Sequence, residues 1–173
     1  MRKIWIAFLM MVPCLFAQGD QKNCKEVSGG VVTNFLNESG TFNGESFKFT
    51  TLGTATGDLR GAVGVYIFSI TAGQNNSAIA KVHVHWVTEA GDTIFLEDAT
   101  ANAFQVGVFT GVYAVGNDSY TAKIIGGTGR FAGATGKLSH TGVLDTIQGK
   151  VVLRYQGGGL FRTTEELSAP GRK

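Results

Sequence analysis

Residues 78–88 read AIAKVHVHWVT, and small or apolar side chains occupy every second position from Ala78 to Trp86. The polar side chains Lys81, His83 and His85 fall between them. A period of two places alternate side chains on opposite faces of an extended chain. This stretch therefore predicts a β-strand with one face against a core.

The same pattern extends outward from this strand over most of the chain, from about Val27 to Arg162. Short runs rich in Val, Ile, Phe, Thr and Tyr are separated by Gly, Asn or Asp, which is typical of antiparallel strands joined by tight turns. The connections at 89–92 and 116–118 are too short for crossover helices, which disfavours a βαβ architecture. We predict strands at 28–36, 46–55, 59–70, 78–88, 93–98, 104–115, 119–125, 135–144 and 149–156.

Two of these segments, 59–70 and 104–115, are apolar on both faces. Such strands are covered on both sides or line an apolar lumen. The chain also holds 25 glycines, which permit sharp strand curvature. We therefore predict an all-β fold: a closed antiparallel eight-stranded β-barrel, with nine strands as the alternative.

The two ends of the chain lack the strand pattern. Arg2 and Lys3 precede an apolar run that ends at Ala17, as in a secretory signal. We predict a signal peptide at 1–17, a flexible arm at 18–27, a barrel at 28–162 and a tail at 163–173, in a secreted or periplasmic protein. The apolar run is too short for a transmembrane anchor, so no membrane partner is expected.

Composition excludes several classes of partner and scaffold. Without residues 1–17 the chain has 13 basic and 13 acidic residues, so a nucleic-acid-binding footprint is absent. Cys24 is then the single cysteine, so a disulfide scaffold within one chain is excluded. An intermolecular bridge through Cys24, and hence a homo-oligomer, stays open.

The glycine-rich segment at 124–136 reads IIGGTGRFAGATG and contains a G-x-G-x-x-[GA] pattern. A dinucleotide site needs a helix directly after these glycines. Further glycines, such as Gly133 and Gly136, interrupt any such helix. The segment instead predicts a tight connection between two strands, with Phe131 turned inward.

The stretch IIGGTGRFAGATGKLSHTG at 124–142, followed by VVLRYQGG at 151–158, resembles allene oxide cyclase barrel-like proteins, secreted bacterial relatives of plant allene oxide cyclases and dirigent proteins. GDLRGAVG at 57–64, HVHWVTEAGDTIFLEDA at 83–99 and GVYAVGNDSYTAKI at 111–124 follow the order found in such proteins. The resemblance implies an eight-stranded barrel of the calycin-like, allene oxide cyclase-like type. In the plant relatives the cavity of such a barrel holds an apolar, reactive small molecule and steers its cyclisation or coupling without a cofactor. The matching motif is a turn, so it implies no catalytic residue.

Several side chains are candidates for chemistry. His83 and His85 could share a metal ion only if a third ligand came from a neighbouring strand. The positive charge of Lys81 on the same face disfavours a bound metal ion, so we expect no metal and no cofactor. Glu97, which ends an apolar strand, is the catalytic candidate, with an exposed strand end as the alternative. The candidates for ligand binding, as polar groups on a cavity wall, are Tyr66, Tyr113, His83, His85 and His140.

These observations predict a barrel that binds a small apolar molecule in its lumen. Three functions stay open on the sequence: a cofactor-free cyclase or isomerase that acts by positioning its substrate, a carrier without turnover, and a structural or interaction barrel with a filled core.

Overall fold

The computed structural model describes residues 24–108 and 110–160, which form eleven β-strands and two single-turn 3₁₀ helices. No helix in these two ranges is long and apolar enough to cross a membrane. The 3₁₀ helices are Gly57–Leu59 and Gly129–Phe131. The strands are β1 Cys24–Leu36, β2 Gly40–Phe42, β3 Glu45–Phe47, β4 Phe49–Ala55, β5 Gly61–Ala72, β6 Ser77–Thr88, β7 Thr93–Leu96, β8 Ala99–Gln105, β9 Val112–Gly127, β10 Thr135–Asp145 and β11 Lys150–Leu160.

Nine of the strands form one antiparallel sheet that closes on itself. Neighbours follow the order β10, β11, β1, β4, β5 and β6, and β9 closes the barrel by pairing with β10. Strands β7 and β8 both lie between β6 and β9, so they are two halves of one position interrupted at residues 97–98. The predicted closed antiparallel barrel is confirmed.

The predicted total of eight or nine strands is wrong, because short strands were missed and one was misplaced. Strands β2 and β3 form a separate hairpin, although no strand was predicted between residues 36 and 46, and the predicted strand 46–55 merges the end of β3 with β4. The predicted strand 104–115 is interrupted: it covers the end of β8, a loop, and the start of β9 at Val112. Gly107 and Gly111, with φ of 57° and 86°, turn the chain in this loop. The expected turn at 116–118 lies inside β9, where Asp118 has φ of 65° and the pairing is irregular.

Residues 24–27 of the expected arm at 18–27 belong to β1, which begins at Cys24 and pairs with β11 from that residue onward, and residues 18–23 lie outside the described residues. The pairing satisfies backbone groups that an unpaired arm would leave to solvent. The predicted signal peptide at 1–17 and tail at 163–173 lie outside the described residues.

One end of the barrel is closed by the 3₁₀ helix between β4 and β5. The indole Nε1–H of Trp86 donates to the carbonyl oxygen of Leu59 at 2.7 Å. The hydroxyl of Tyr155 accepts the N–H of Leu59 and donates to the carbonyl oxygen of Thr56, both at 2.8 Å. All three large side chains, Leu59, Trp86 and Tyr155, are fully buried. They form a solid plug across this end.

The glycine-rich segment lies at the same end, where it connects β9 to β10. It makes a 3₁₀ turn at Gly129–Phe131, and Phe131 is fully buried in the core. The predicted inward turn of Phe131 is confirmed.

Candidate functional site

The upper half of the barrel, away from the plug, contains a cavity of about 220 Å³. Trp86 lies at its floor, next to the plug, and Ile70 lies at its mouth with 47% of its surface exposed. The cavity therefore opens at the end formed by the β5–β6, β8–β9 and β10–β11 loops. No Asp, Glu, Lys or Arg among the described residues lines it.

The cavity wall follows directly from the period of two along each strand. Strand β6 contributes Ala80, Val82 and Val84, which alternate with the outward-facing polar side chains. Strand β5 contributes Val63 and Val65 in the same way. Every second side chain along a barrel strand faces inward. Because the side chains at these positions are apolar in β5 and β6, the lumen that they line is apolar.

Polar groups in the wall are few. Tyr120 of β9 and His140 of β10 lie side by side, with ring centroids 4.4 Å apart and planes at 21°. Tyr113 lies nearer the mouth. Three threonines complete the polar lining: Thr33, Thr51 and Thr146. The site thus combines an apolar surface with a few hydrogen-bonding groups, as small-molecule sites do.

His140 is the most unusual of these groups. Its side chain is 3% exposed, and its Nδ1 is buried without a hydrogen-bond partner among the described residues. Burial lowers the pKa of His140 to about 4, and hydrogen bonding of the imidazole to the backbone of Leu138 and Tyr120 raises this pKa by a smaller amount. The imidazole is therefore neutral at pH 7, with one donor and one acceptor nitrogen.

Burial also raises the pKa of the Tyr120 phenol, which therefore stays protonated at pH 7. The neighbouring pair consists of two neutral groups, and each is able to donate or accept a hydrogen bond. This pair is the part of the wall with the greatest capacity for directed polar contact or proton transfer.

Two of the sequence-predicted binding residues, Tyr113 and His140, lie in the cavity wall. The other three, Tyr66, His83 and His85, lie on the outer face of the barrel. They alternate with the cavity-lining residues of β5 and β6, so they point away from the lumen. The expectation that they contact a ligand in the lumen is wrong for this reason.

The β2–β3 hairpin covers this outer face. Phe42 stacks on Tyr66 with ring centroids 4.7 Å apart and also contacts His83 at 4.7 Å and His85 at 5.1 Å. Phe47 contacts Tyr66 at 4.7 Å. The hairpin supplies the cover that the two-faced apolar pattern of 59–70 predicted. We name Phe42, Phe47, Tyr66, His83 and His85 the outer aromatic cluster.

Charged side chains hold the edge of this cluster together. Nδ1 of His83 lies 2.7 Å from Oδ1 of Asp98, and Nζ of Lys81 lies 2.5 Å from Oε2 of Glu45 and 3.6 Å from Oδ2 of Asp98. The described residues contain no group of three or more His, Cys, Asp or Glu side chains arranged to hold a metal ion.

Glu97, the predicted catalytic residue, also lies outside the cavity. It is located at the interruption between β7 and β8, where its Oε2 is 3.2 Å from Nζ of Lys123. Its side chain is 54% exposed. The inward position of this strand belongs to Leu96, so Glu97 is the exposed strand end and has no access to a ligand in the lumen.

Sequence reasoning missed Trp86 as a site residue, although the alternation in its own strand places it on the apolar face, and it named Tyr120 only as one of several tyrosines that could line a cavity. Trp86 shares the parity of Val82 and Val84. Tyr120 has the parity opposite to Lys123, which indicates an inward side chain. The binding candidates were chosen for their polar or aromatic character. Whether a side chain faces the lumen depends instead on its position in the two-residue alternation of its strand.

Comparison with known proteins yields little. No family model matches the chain, and no curated protein matches its sequence. Among solved structures, a pterocarpan synthase dirigent protein aligns with 11% identity over 91% of this chain and 100% of that chain, with a TM-score of 0.33.

Proposed function

We propose that this barrel binds a small, uncharged, largely apolar molecule in its lumen. The observation that carries the proposal is the cavity itself, about 220 Å³ of space with apolar walls, in which none of the lining residues that the structure describes is charged. The lumen is therefore not filled from end to end, which disfavours a purely structural barrel with a solid core.

The cavity volume limits the size of the occupant. It is below the range of ~300–1,000 Å³ common for drug-sized ligands. An engineered cavity of ~150 Å³ in another protein holds benzene, so the present volume corresponds to about nine non-hydrogen atoms. A compact ring or short branched chain fits this volume, and a long-chain fatty acid does not. A carboxylate would also find no Lys or Arg side chain in the described part of the cavity wall, and its burial without a partner would be costly.

Binding is tested by calorimetric titration of the full chain with 4-ethylphenol and 4-ethyltoluene, two molecules of nearly equal size. Ala80 lines the cavity, so Ala80→Phe fills part of the space and should weaken binding of both probes at least tenfold. Ala62, exposed on the outer face of β5, provides the matched control Ala62→Phe, which should leave both affinities unchanged. Failure of both probes to bind, or equal binding by Ala80→Phe, would refute the proposal.

A second candidate is cofactor-free isomerisation or cyclisation within the same cavity, in line with the allene oxide cyclase resemblance. The neutral pair Tyr120 and His140 favours it, because both groups are buried in the cavity wall and each is able to donate or accept a proton. Such a reaction conserves all atoms, so it needs no co-reactant. Chiral chromatography of products from a panel of compact epoxides and phenylpropanoids tests it. Racemic products from every compound of the panel would contradict the enzyme hypothesis, and the carrier hypothesis would remain.

We also propose that the protein is exported, on the basis of the basic and apolar residues that precede Ala17. Amino-terminal sequencing of the protein from the extracellular or periplasmic fraction should begin at Gln18. An intact amino terminus in the cytosolic fraction would contradict export. Self-association through Cys24 is checked by sedimentation with and without reductant.

A further inference from the structure

We infer that the barrel docks on the surface of an uncharged lipid bilayer through the apolar rim of its cavity mouth. Five large apolar side chains are exposed at this end, on β5, on β8 and in the loops after β8 and β10: Ile70, Phe104, Val106, Val108 and Ile147. We name these five residues the mouth rim. Docking goes beyond the proposed function, because the rim would bind lipid whether or not the lumen holds a ligand.

The first observation is the exposure of the two loop tips. Val108 is 90% exposed and Ile147 is 69% exposed, the highest values among the large apolar side chains that the structure describes. Such side chains forgo the stabilisation that removal from water would give. Where they cluster on a surface, they mark a site that binds a protein or a membrane.

The second observation is that hydrogen bonds join the three loops of the rim. The N–H of Gln105 donates to the carbonyl oxygen of Asn76 at 3.1 Å, which joins the end of β8 to the β5–β6 loop. The N–H and the hydroxyl of Thr146 both donate to the carbonyl oxygen of Gly111 at 2.8 Å, which joins the β10–β11 loop to the β8–β9 loop. The apolar tips therefore form one preorganised surface.

The backbone at the tip of the β10–β11 loop is suited to contact with lipid. Oδ1 of Asp145 accepts the N–H groups of Ile147 and Gln148, at 3.0 Å and 2.9 Å. A backbone group that leaves water for lipid needs a partner within the protein. Asp145 supplies that partner for both N–H groups, so Ile147 is able to enter the lipid surface without exposing them.

The charge of the three loops selects an uncharged lipid. Residues 73–76, 106–111 and 146–149 read GQNN, VGVFTG and TIQG, without Asp, Glu, Lys or Arg. Asp145 and Lys150, which flank the last loop, are opposite each other in the register of β10 and β11 and have opposite charges. Anionic headgroups attract clusters of Lys and Arg, which these loops lack. A zwitterionic lipid such as phosphatidylcholine therefore matches the rim.

The position of the rim around an opening favours lipid over a protein partner. The rim lies at the mouth of an apolar lumen, and Ile70 belongs to both. A folded protein that covered the rim would also close the mouth. A lipid layer is fluid, so it covers the rim while its hydrocarbon stays in contact with the lumen. An apolar molecule dissolved in the bilayer would then enter the barrel without crossing water.

Docking of this kind concerns the surface of a bilayer. The expectation of no membrane partner was based on the amino-terminal apolar run, which is too short to span a bilayer. Contact of loop tips with one face of the bilayer needs no spanning segment.

Co-sedimentation of the full chain with phosphatidylcholine vesicles tests docking, and the quantity measured is the partition coefficient. The wild type should bind, and raising the salt concentration should change the coefficient by less than about twofold, because no ion pairs are involved. Val108→Asp and Ile147→Asp each place a charge on the surface that enters the lipid. Each should lower the coefficient about tenfold or more. Both positions are exposed, so neither substitution disturbs the core.

Val87→Asp and Ile125→Asp are the matched controls, since they make the same substitutions at exposed positions near the plug. Both should keep the wild-type coefficient. The apolar run before Ala17 is present in every variant, so binding through that run would leave all four variants equal to the wild type and overturn the inference. Absence of wild-type binding, or equal losses in rim and control variants, would overturn it as well.

A second measurement locates the contact in the wild-type protein. Phosphatidylcholine nanodiscs with a spin label in the acyl chains should broaden the methyl NMR signals of Val108 and Ile147 and leave those of Val87 and Ile125 sharp. Equal broadening of both pairs would overturn the inference.

Sedimentation velocity without lipid, in the presence of reductant, tests a second copy of the chain as the occupant of the rim. The wild type should be a monomer under these conditions. A wild-type dimer that Ile147→Asp dissociates would assign the rim to self-association and overturn docking on lipid. None of these results depends on the small-molecule titrations, so docking and the proposed function fail or stand separately.

Discussion

The hydroxyl of Tyr155 is the centre of the plug that closes one end of the barrel, so its removal tests how that end is held. Tyr155→Phe deletes the acceptor of the Leu59 N–H and the donor to the Thr56 carbonyl, both at 2.8 Å. The Leu59 N–H is buried and would lose its partner, at a cost of ~1–3 kcal/mol, and loss of the Thr56 bond adds ~1 kcal/mol. We expect the free energy of unfolding to fall by about 2–4 kcal/mol.

Urea unfolding followed by far-UV circular dichroism measures this change, with an unchanged m-value showing that the extent of unfolding is the same. Tyr66→Phe is the matched control, because Tyr66 contributes its ring to the outer aromatic cluster, and the stack on Phe42 survives the substitution. Its effect should stay within ~0.5 kcal/mol. A loss below ~0.5 kcal/mol for Tyr155→Phe would refute the argument that this hydroxyl secures the plug.

Two further expectations concern a strand crossing and the pH dependence of stability. A Cβ atom on Gly53 would lie 2.0 Å from the carbonyl oxygen of Val32, whereas one on Gly64 would meet no atom closer than 3.8 Å. Thermal unfolding should therefore show Gly53→Ala losing ~2–3 kcal/mol and Gly64→Ala less than ~0.5 kcal/mol, and similar losses would contradict the close approach. For His140 the folded pKa of about 4 lies below the ordinary value of 6.5, so the unfolded chain binds a proton first as pH falls. Between pH 7 and pH 4 the wild type should lose ~3 kcal/mol more stability than His140→Phe, measured by urea unfolding, and parallel pH profiles would show that His140 is not buried in its neutral form.

The candidate site was predicted in part. Tyr113 and His140 lie in the cavity as expected, while Tyr66, His83 and His85 lie outside it. The alternation within β6 correctly separated the histidines from Trp86, but a period of two does not say which face of the strand is the lumen when the outer face is itself covered. The β2–β3 hairpin provides that cover, and its short strands at Gly40–Phe42 and Glu45–Phe47 carry too little pattern to be predicted.

The sequence by itself determined that the chain forms antiparallel strands, which side chains share a face, and that the glycine-rich segment is a turn with Phe131 inward. These features depend on neighbours within a few residues, so a single sequence contains them. Only the tertiary structure decided that Tyr120 and His140 become partners, because the pairing of β9 with β10 shifts register between Ser139 and Gly142. Only the closed barrel decided that space remains above Trp86, since cavity volume depends on how side chains from all strands meet across the lumen.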